Sequence, residues 1–165
     1  MERHRFLPNS ERLRAAGIEV WRNFYPPDLL ARQARHCMSM PTRKETYTIN
    51  SGESFPAPID EANRFIKTFF DTRGRINTSV MKRYEPGESS NAFKWHQDPP
   101  ELQDESLWVI SLSGLAYLTA VDEDSEPIEC PPNTLVKMPG KTWHKISPPV
   151  PEYGTREIQF FGYQK

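Results

Sequence analysis

The stretch Ile76-Asn77-Thr78-Ser79-Val80-Met81-Lys82-Arg83-Tyr84 divides this chain of 165 residues into two kinds of sequence. It is an extended run of β-branched and apolar residues, closed by Glu85-Pro86-Gly87, and it reads as a strand. Five further runs of the same kind follow, at 106–113, 115–121, 134–138, 143–147 and 156–163, separated by Pro, Gly and Asn. Upstream the period changes. Pro26-Pro27-Asp28 opens a helical segment to about Met38, since Pro and Asp suit a first helical turn. Ile59, Ala62, Phe65, Ile66, Phe69 and Phe70 then recur at the spacing of one helix face, with Gly74 where a helix stop belongs.

Two helices followed by six strands predict a mainly β protein with flanking helices (α+β), an antiparallel sandwich or jelly roll whose N-terminal helices pack on one sheet. One domain over 1–165 is the economical reading, with a helical part at 1–75 and a β core at 76–163. A domain near this size buries about 68–70% of its unfolded surface. Aromatics at 12% supply much of that core. The 16 prolines are scattered, so they punctuate loops and do not form a linker.

No run of 18 apolar residues occurs, which excludes a helical membrane span. The start lacks the apolar core of a signal peptide, and Glu2 and Glu11 argue against a transit peptide. Cys37 and Cys130 form no CxxC pair and no disulfide framework. These features lead to the expectation of a cytoplasmic protein. Residues 85–130 hold eleven acids against the single base Lys94, a balance of −10 in a chain whose net charge is −1. An acidic middle discourages a polyanion from lying across it.

The chemistry concentrates in His96-Gln97-Asp98. On extended chain, residues i and i+2 point to one side, so imidazole and carboxylate can face one point. His144, near the start of a later predicted strand, is the candidate third ligand. Two imidazoles and a carboxylate on one face make the facial triad of non-haem Fe(II) oxygenases, which leaves coordination positions open for co-substrate and O2. Arg156 precedes Ile158 and Phe160 on the same strand face, so it points inward and needs an anion, because an uncompensated buried charge is costly. A bound dicarboxylate or a protein acid would serve. Asn77 and Ser79, on the strand before Tyr84, either line the pocket or pack in the barrel. Trp95 and Trp143, each preceding a proposed ligand, either wall the pocket or pack elsewhere.

Arg83-Tyr84-Glu85-Pro86-Gly87, followed by His96-Gln97-Asp98, resembles the RYxPG…HxD signature of AlkB-like Fe(II)/2-oxoglutarate dioxygenases. The runs 108–114, 134–140 with 143–146, and 156–161 resemble that family's later strands. The resemblance covers roughly residues 76–163. It implies a double-stranded β-helix with Fe(II) held by His96, Asp98 and His144, and with Tyr84 and Arg156 binding the distal carboxylate of 2-oxoglutarate. It also implies oxidation of a substrate by O2, with release of succinate and CO2. The chain departs from the demethylase pattern at Lys82 and Ile158, where that family carries Asn, and at Gly162, where it carries a second Arg. Together with the acidic middle, these departures favour a small-molecule or other non-duplex substrate over nucleic acid. N-dealkylation of a modified base, and a non-catalytic metal-binding module, are the alternatives. Nothing in the sequence sets the oligomeric state.

Overall fold

The structure is a computed structural model, and it describes residues 4–6, 11–48, 56–70, 76–102 and 106–162. In chain order the elements are β1 (His4–Phe6), α1 (Glu11–Ala15), β2 (Glu19–Arg22), α2 (Pro27–Ser39), β3 (Lys44–Thr48), α3 (Ala57–Phe70) and β4 (Thr78–Tyr84). There follow β5 (Ser106–Ser113), β6 (Ala116–Ala120), β7 (Ile128–Cys130), β8 (Thr134–Pro139), β9 (His144–Ile146) and β10 (Arg156–Gly162). A seven-stranded sheet runs β1-β2-β8-β5-β10-β4-β3, and a three-stranded sheet runs β7-β6-β9. Every pairing is antiparallel. This is the expected jelly roll, with α2 and α3 on the outer face of the larger sheet.

The central strands β5, β8 and β10 are mostly buried on both faces, so they lack the polar alternation of a half-exposed strand. On the outer face Met81, Trp108, Ile110, Leu135 and Phe161 pack against Leu29 and Cys37 of α2 and Ile59 and Ile66 of α3. The neighbouring positions Leu107, Val136 and Met138 turn inward toward Leu118, Ala120, Ile128 and Cys130 of the small sheet. That is the period of two along a strand. Aromatic rings fill the helix-to-sheet layer: Trp21 and Phe69 meet edge to face at 5.0 Å, and Phe24 lies 5.0 Å from Phe69.

A buried polar chain fixes the helices to the sheet. The Tyr25 hydroxyl donates to Gln159 Oε1 at 2.7 Å, Gln159 Nε2 to Gln33 Oε1 at 2.9 Å, and Gln33 Nε2 to the Pro58 carbonyl at 2.8 Å. Each member finds its partner, so desolvation is compensated and the layer has one registered position.

The N-terminal part is not only helical, which corrects the reading of 1–75. It also supplies β1 and β2 at one edge of the large sheet and β3 at the other. With β7 these strands span three to five residues. That is too short for a period of two to stand out from sequence, and edge pairing decides their state. Gly74, expected as a helix stop, lies outside the described residues. Tyr163, expected at the end of the last strand, does too. Among the described residues no helix is long and apolar enough to cross a membrane.

Candidate active site

His96 and His144 are brought together by the backbone. They form an isolated antiparallel bridge in which His96 N–H donates to the His144 carbonyl at 3.0 Å and His144 N–H to the His96 carbonyl at 2.9 Å. Such a doubly bonded pair sets side chains abreast on one face, and the two imidazole centroids lie 4.4 Å apart. Asp98 closes the group, its Oδ1 3.9 Å from His96 Nε2 and its Oδ2 3.7 Å from His144 Nε2. The three ligand atoms all lie within 4.8 Å of one another.

The tautomers follow from local bonds. His96 Nδ1 lies 2.7 Å from the Lys94 carbonyl, and His144 Nδ1 lies 2.8 Å from the Thr142 carbonyl. A carbonyl only accepts, so each Nδ1 carries the hydrogen and each Nε2 presents a lone pair toward Asp98. Burial pushes the His144 pKa down, against the pull of Asp98, which favours the neutral ring a metal requires. Two bare imidazole nitrogens and a carboxylate, on one side of a cavity, fit a divalent iron.

That cavity, about 250 Å³, lies between the sheets and is lined by His96, Asp98, His144, Tyr84 and Arg156 together. Arg156 is 3% exposed. Its Nη2 donates to Ser111 Oγ at 2.9 Å, while its Nε has no partner. Among the described residues no carboxylate pairs with it, and burial lowers its pKa. A buried guanidinium with an orphaned donor and no anion fits a bound carboxylate. Arg156 is the register partner of Tyr84 across β10 and β4. Tyr84 is buried, which raises its pKa against the opposing Arg156 charge.

Two backbone features aim Arg156. Between Glu157 and Ile158 the β10–β5 register slips, so that Leu112 becomes an extra residue on β5, just beyond Ser111, which faces the cavity by the same parity as Val109. Gly114, at φ +75°, lets β5 turn away: a Cβ there would sit 2.7 Å from the Thr155 carbonyl and 2.8 Å from Arg156 Cα. Beyond the pair, the Thr155 hydroxyl donates to Glu85 Oε2 at 2.7 Å and ties the two strand ends.

Asn77 and Ser79 do not line the cavity; Val80, Lys82 and Tyr84 do. The choice between lining and packing is one of parity, because odd and even positions of an unbulged strand face opposite sides. Trp95 and Trp143 stack on each other at 6.2 Å and 17° and stay outside the cavity, for the same reason. Reading from sequence passed over Ser111 and Lys44, and met Lys82 only as a departure from a family pattern. All three line the cavity. The parity of Lys82 with Tyr84 was the available signal.

No protein-family model and no curated protein matches the chain. Solved structures do. The chain is similar to the viral collagen prolyl hydroxylase of Paramecium Bursaria Chlorella virus-1, with 13% identity, a TM-score of 0.65, and coverage of 96% of this chain and 98% of that one. It is similar to an oxidoreductase of the 2OG-Fe(II) oxygenase family from Burkholderia pseudomallei, with 17% identity, a TM-score of 0.59, and coverage of 93% and 87%. It is also similar to NgTET1 solved in complex with 5mC DNA, with 12% identity, a TM-score of 0.63, and coverage of 90% and 72%. The layered sheets, the inward face of the large sheet and these matches over nearly the whole chain agree: the protein has the double-stranded β-helix fold of the Fe(II)/2-oxoglutarate oxygenases.

Proposed function

We propose that the protein is an Fe(II)- and 2-oxoglutarate-dependent dioxygenase that hydroxylates, or by hydroxylation demethylates, a substrate other than duplex DNA. The observation that carries it is one cavity holding a His–Asp–His group at one place and an anion-less buried arginine at another. His96, Asp98 and His144 hold the iron through Nε2, Oδ and Nε2. Arg156, with Ser111 and Tyr84 beside it, binds and orients the distal carboxylate of 2-oxoglutarate. When bound, iron and 2-oxoglutarate supply the oxidising power to insert oxygen from O2 into a C–H bond, with release of succinate and CO2. The apolar walls, Val109, Val136 and Ile158 among them, exclude water from the reacting centre.

The test is succinate formation by purified protein with Fe(II), ascorbate, 2-oxoglutarate and O2. The expected result is slow substrate-free turnover that Asp98→Ala abolishes. A wild-type protein that binds metal yet neither binds nor consumes 2-oxoglutarate is instead a metal-binding module. N-dealkylation of a modified base is the second reading, and the DNA in the NgTET1 structure is the observation in its favour. Formaldehyde release from N-methylated oligonucleotides would promote it.

A further inference from the structure

Lys44 and Lys82 stand directly opposite each other on β3 and β4. Side chains so placed have Cβ atoms about 4.5–5.5 Å apart, and like charges at that spacing destabilise a sheet. Both lysines line the cavity that holds the His–Asp–His group, Lys82 half-buried and Lys44 at the mouth. Neither ammonium makes an ion pair or hydrogen bond with a described residue, although the Asp98 charge acts on Lys82, and Asp98 is the one acid in the described cavity wall. The wall therefore carries three cations, Lys44, Lys82 and Arg156, against one carboxylate. On the function proposed above, the charges of Fe(II), Asp98, 2-oxoglutarate and Arg156 cancel among themselves. The two lysine charges are left over, and that of Lys82 is half-buried, where an unpaired charge is costly.

We propose that Lys44 and Lys82 form the recognition site for the acidic group of a small primary substrate, a carboxylate or a phosphate monoester, held in this cavity beside His96, Asp98 and His144. The inference rests on the dioxygenase reading. Size agrees with it. At about 250 Å³ the cavity falls below the roughly 300–1,000 Å³ of sites for drug-sized ligands. With 2-oxoglutarate occupying part of it, the space left suits a small acid. Placement agrees as well. Lys82 lies on the same strand face as Tyr84, opposite Ile158 and not opposite Arg156, one inward position farther along the cavity wall. An ammonium pair is a flexible point-charge clamp that accepts either oxyanion.

The experiment uses the full chain loaded with Zn(II), a redox-inert metal, and 2-oxoglutarate, with inorganic phosphate and acetate as separate probes. Binding is read by phosphorus NMR line broadening for phosphate and by calorimetry for acetate. Saturable binding of at least one probe is expected, weakened on the order of tenfold in Lys44→Met/Lys82→Met and restored in Lys44→Arg/Lys82→Arg. Metal content and 2-oxoglutarate affinity should stay within about twofold of wild type. Phosphate alone binding points to a phosphate monoester, and acetate alone to a carboxylate. Lys44→Met by itself changes an exposed side chain and should show part of the loss even if the double variant fails to fold. Probe binding that is absent in wild type or indifferent to the lysines overturns the inference, as does a parallel fall in 2-oxoglutarate affinity, which would make the anion the co-substrate's own carboxylate. Failure of wild type to bind Zn(II) or 2-oxoglutarate at all overturns the dioxygenase reading, while lysine-dependent phosphate binding would still be readable in that protein.

Discussion

The Nδ1 bonds of His96 and His144 both end on a carbonyl two residues earlier in the chain, Lys94 in one case and Thr142 in the other. One local device thus orients both rings, and Asp98 is left as the charged member of the triad. Wild type should bind about one Fe(II) per chain, and His96→Ala, Asp98→Ala or His144→Ala should each weaken binding by more than the roughly 10–100-fold typical of losing a ligand's supporting partner. Anaerobic Fe(II) titration checks this; undiminished metal in Asp98→Ala would remove the triad. For 2-oxoglutarate, Arg156→Ala should cost about 3–5 kcal/mol, the usual loss on breaking a buried charge pair. Tyr84→Phe should cost about 1.5–3 kcal/mol, one hydrogen bond to a charged group. Calorimetry on metal-loaded protein should return that order, and equal affinity in Arg156→Ala and wild type would require another cation. Cys37 lies apart from the cavity, in the helix-to-sheet layer. Burial, with Glu157 beside it, pushes the Cys37 pKa up to about 12. The native thiol should therefore resist a disulfide reagent at pH 8, reacting only once denaturant is added. Because the folded pKa is raised, the Cys37 contribution to stability is complete below the unfolded value near 8.5 and is lost as pH climbs from there toward 12.

Among the elements, the turn before β8 and the turn after β5 control the site from outside it. Asn133 adopts φ +64° while its side chain accepts from Tyr25 N–H at 2.8 Å and donates to the Tyr25 carbonyl at 2.9 Å. It therefore pins the β2–α2 corner to the start of β8. Asn133→Ala should destabilise by about 1–3 kcal/mol, since two buried backbone groups lose their partner and alanine tolerates left-handed backbone less well. Denaturant unfolding measures this, with iron binding unchanged. Gly114 acts differently. A methyl group there collides with backbone at Thr155 and Arg156, which cannot swing aside as a side-chain tip would. Gly114→Ala should shift the start of β10, weakening 2-oxoglutarate binding while the His96–His144 bridge, at the other sheet, still holds metal. Equal loss of metal and co-substrate would show a general unfolding instead.

Across the whole molecule the charges are segregated, with the −10 stretch of 85–130 containing His96 and Asp98. Each phosphate neutralised by Lys or Arg adds to salt-dependent affinity, and that stretch offers only Lys94. We expect no duplex-DNA binding near physiological salt and no stimulation of 2-oxoglutarate turnover by methylated oligonucleotides. Mobility shift and formaldehyde assays on single- and double-stranded substrates check both, and stoichiometric formaldehyde would reverse the expectation.

The long periodic elements were legible in the sequence because their reading needs only neighbours along the chain. The apolar stripe of α3, the Leu, Val, Ile and Trp-rich core of β5, the Leu-Val pair of β8, and the i, i+2 relation of His96 and Asp98 are all local. The inward parity of Arg156 with Ile158 and Phe160 was local too. Tertiary structure alone decided what depends on pairing between distant segments. The short strands β1, β2, β3 and β7 exist because an edge received them. His144 meets His96 because two backbones exchange hydrogen bonds across 48 positions of sequence. Lys44 reaches the cavity because β3 pairs with β4, which no pattern within residues 44–48 announces. A strand's faces are set by its own period of two, but which strand lies beside it is set by the packing of the whole sheet.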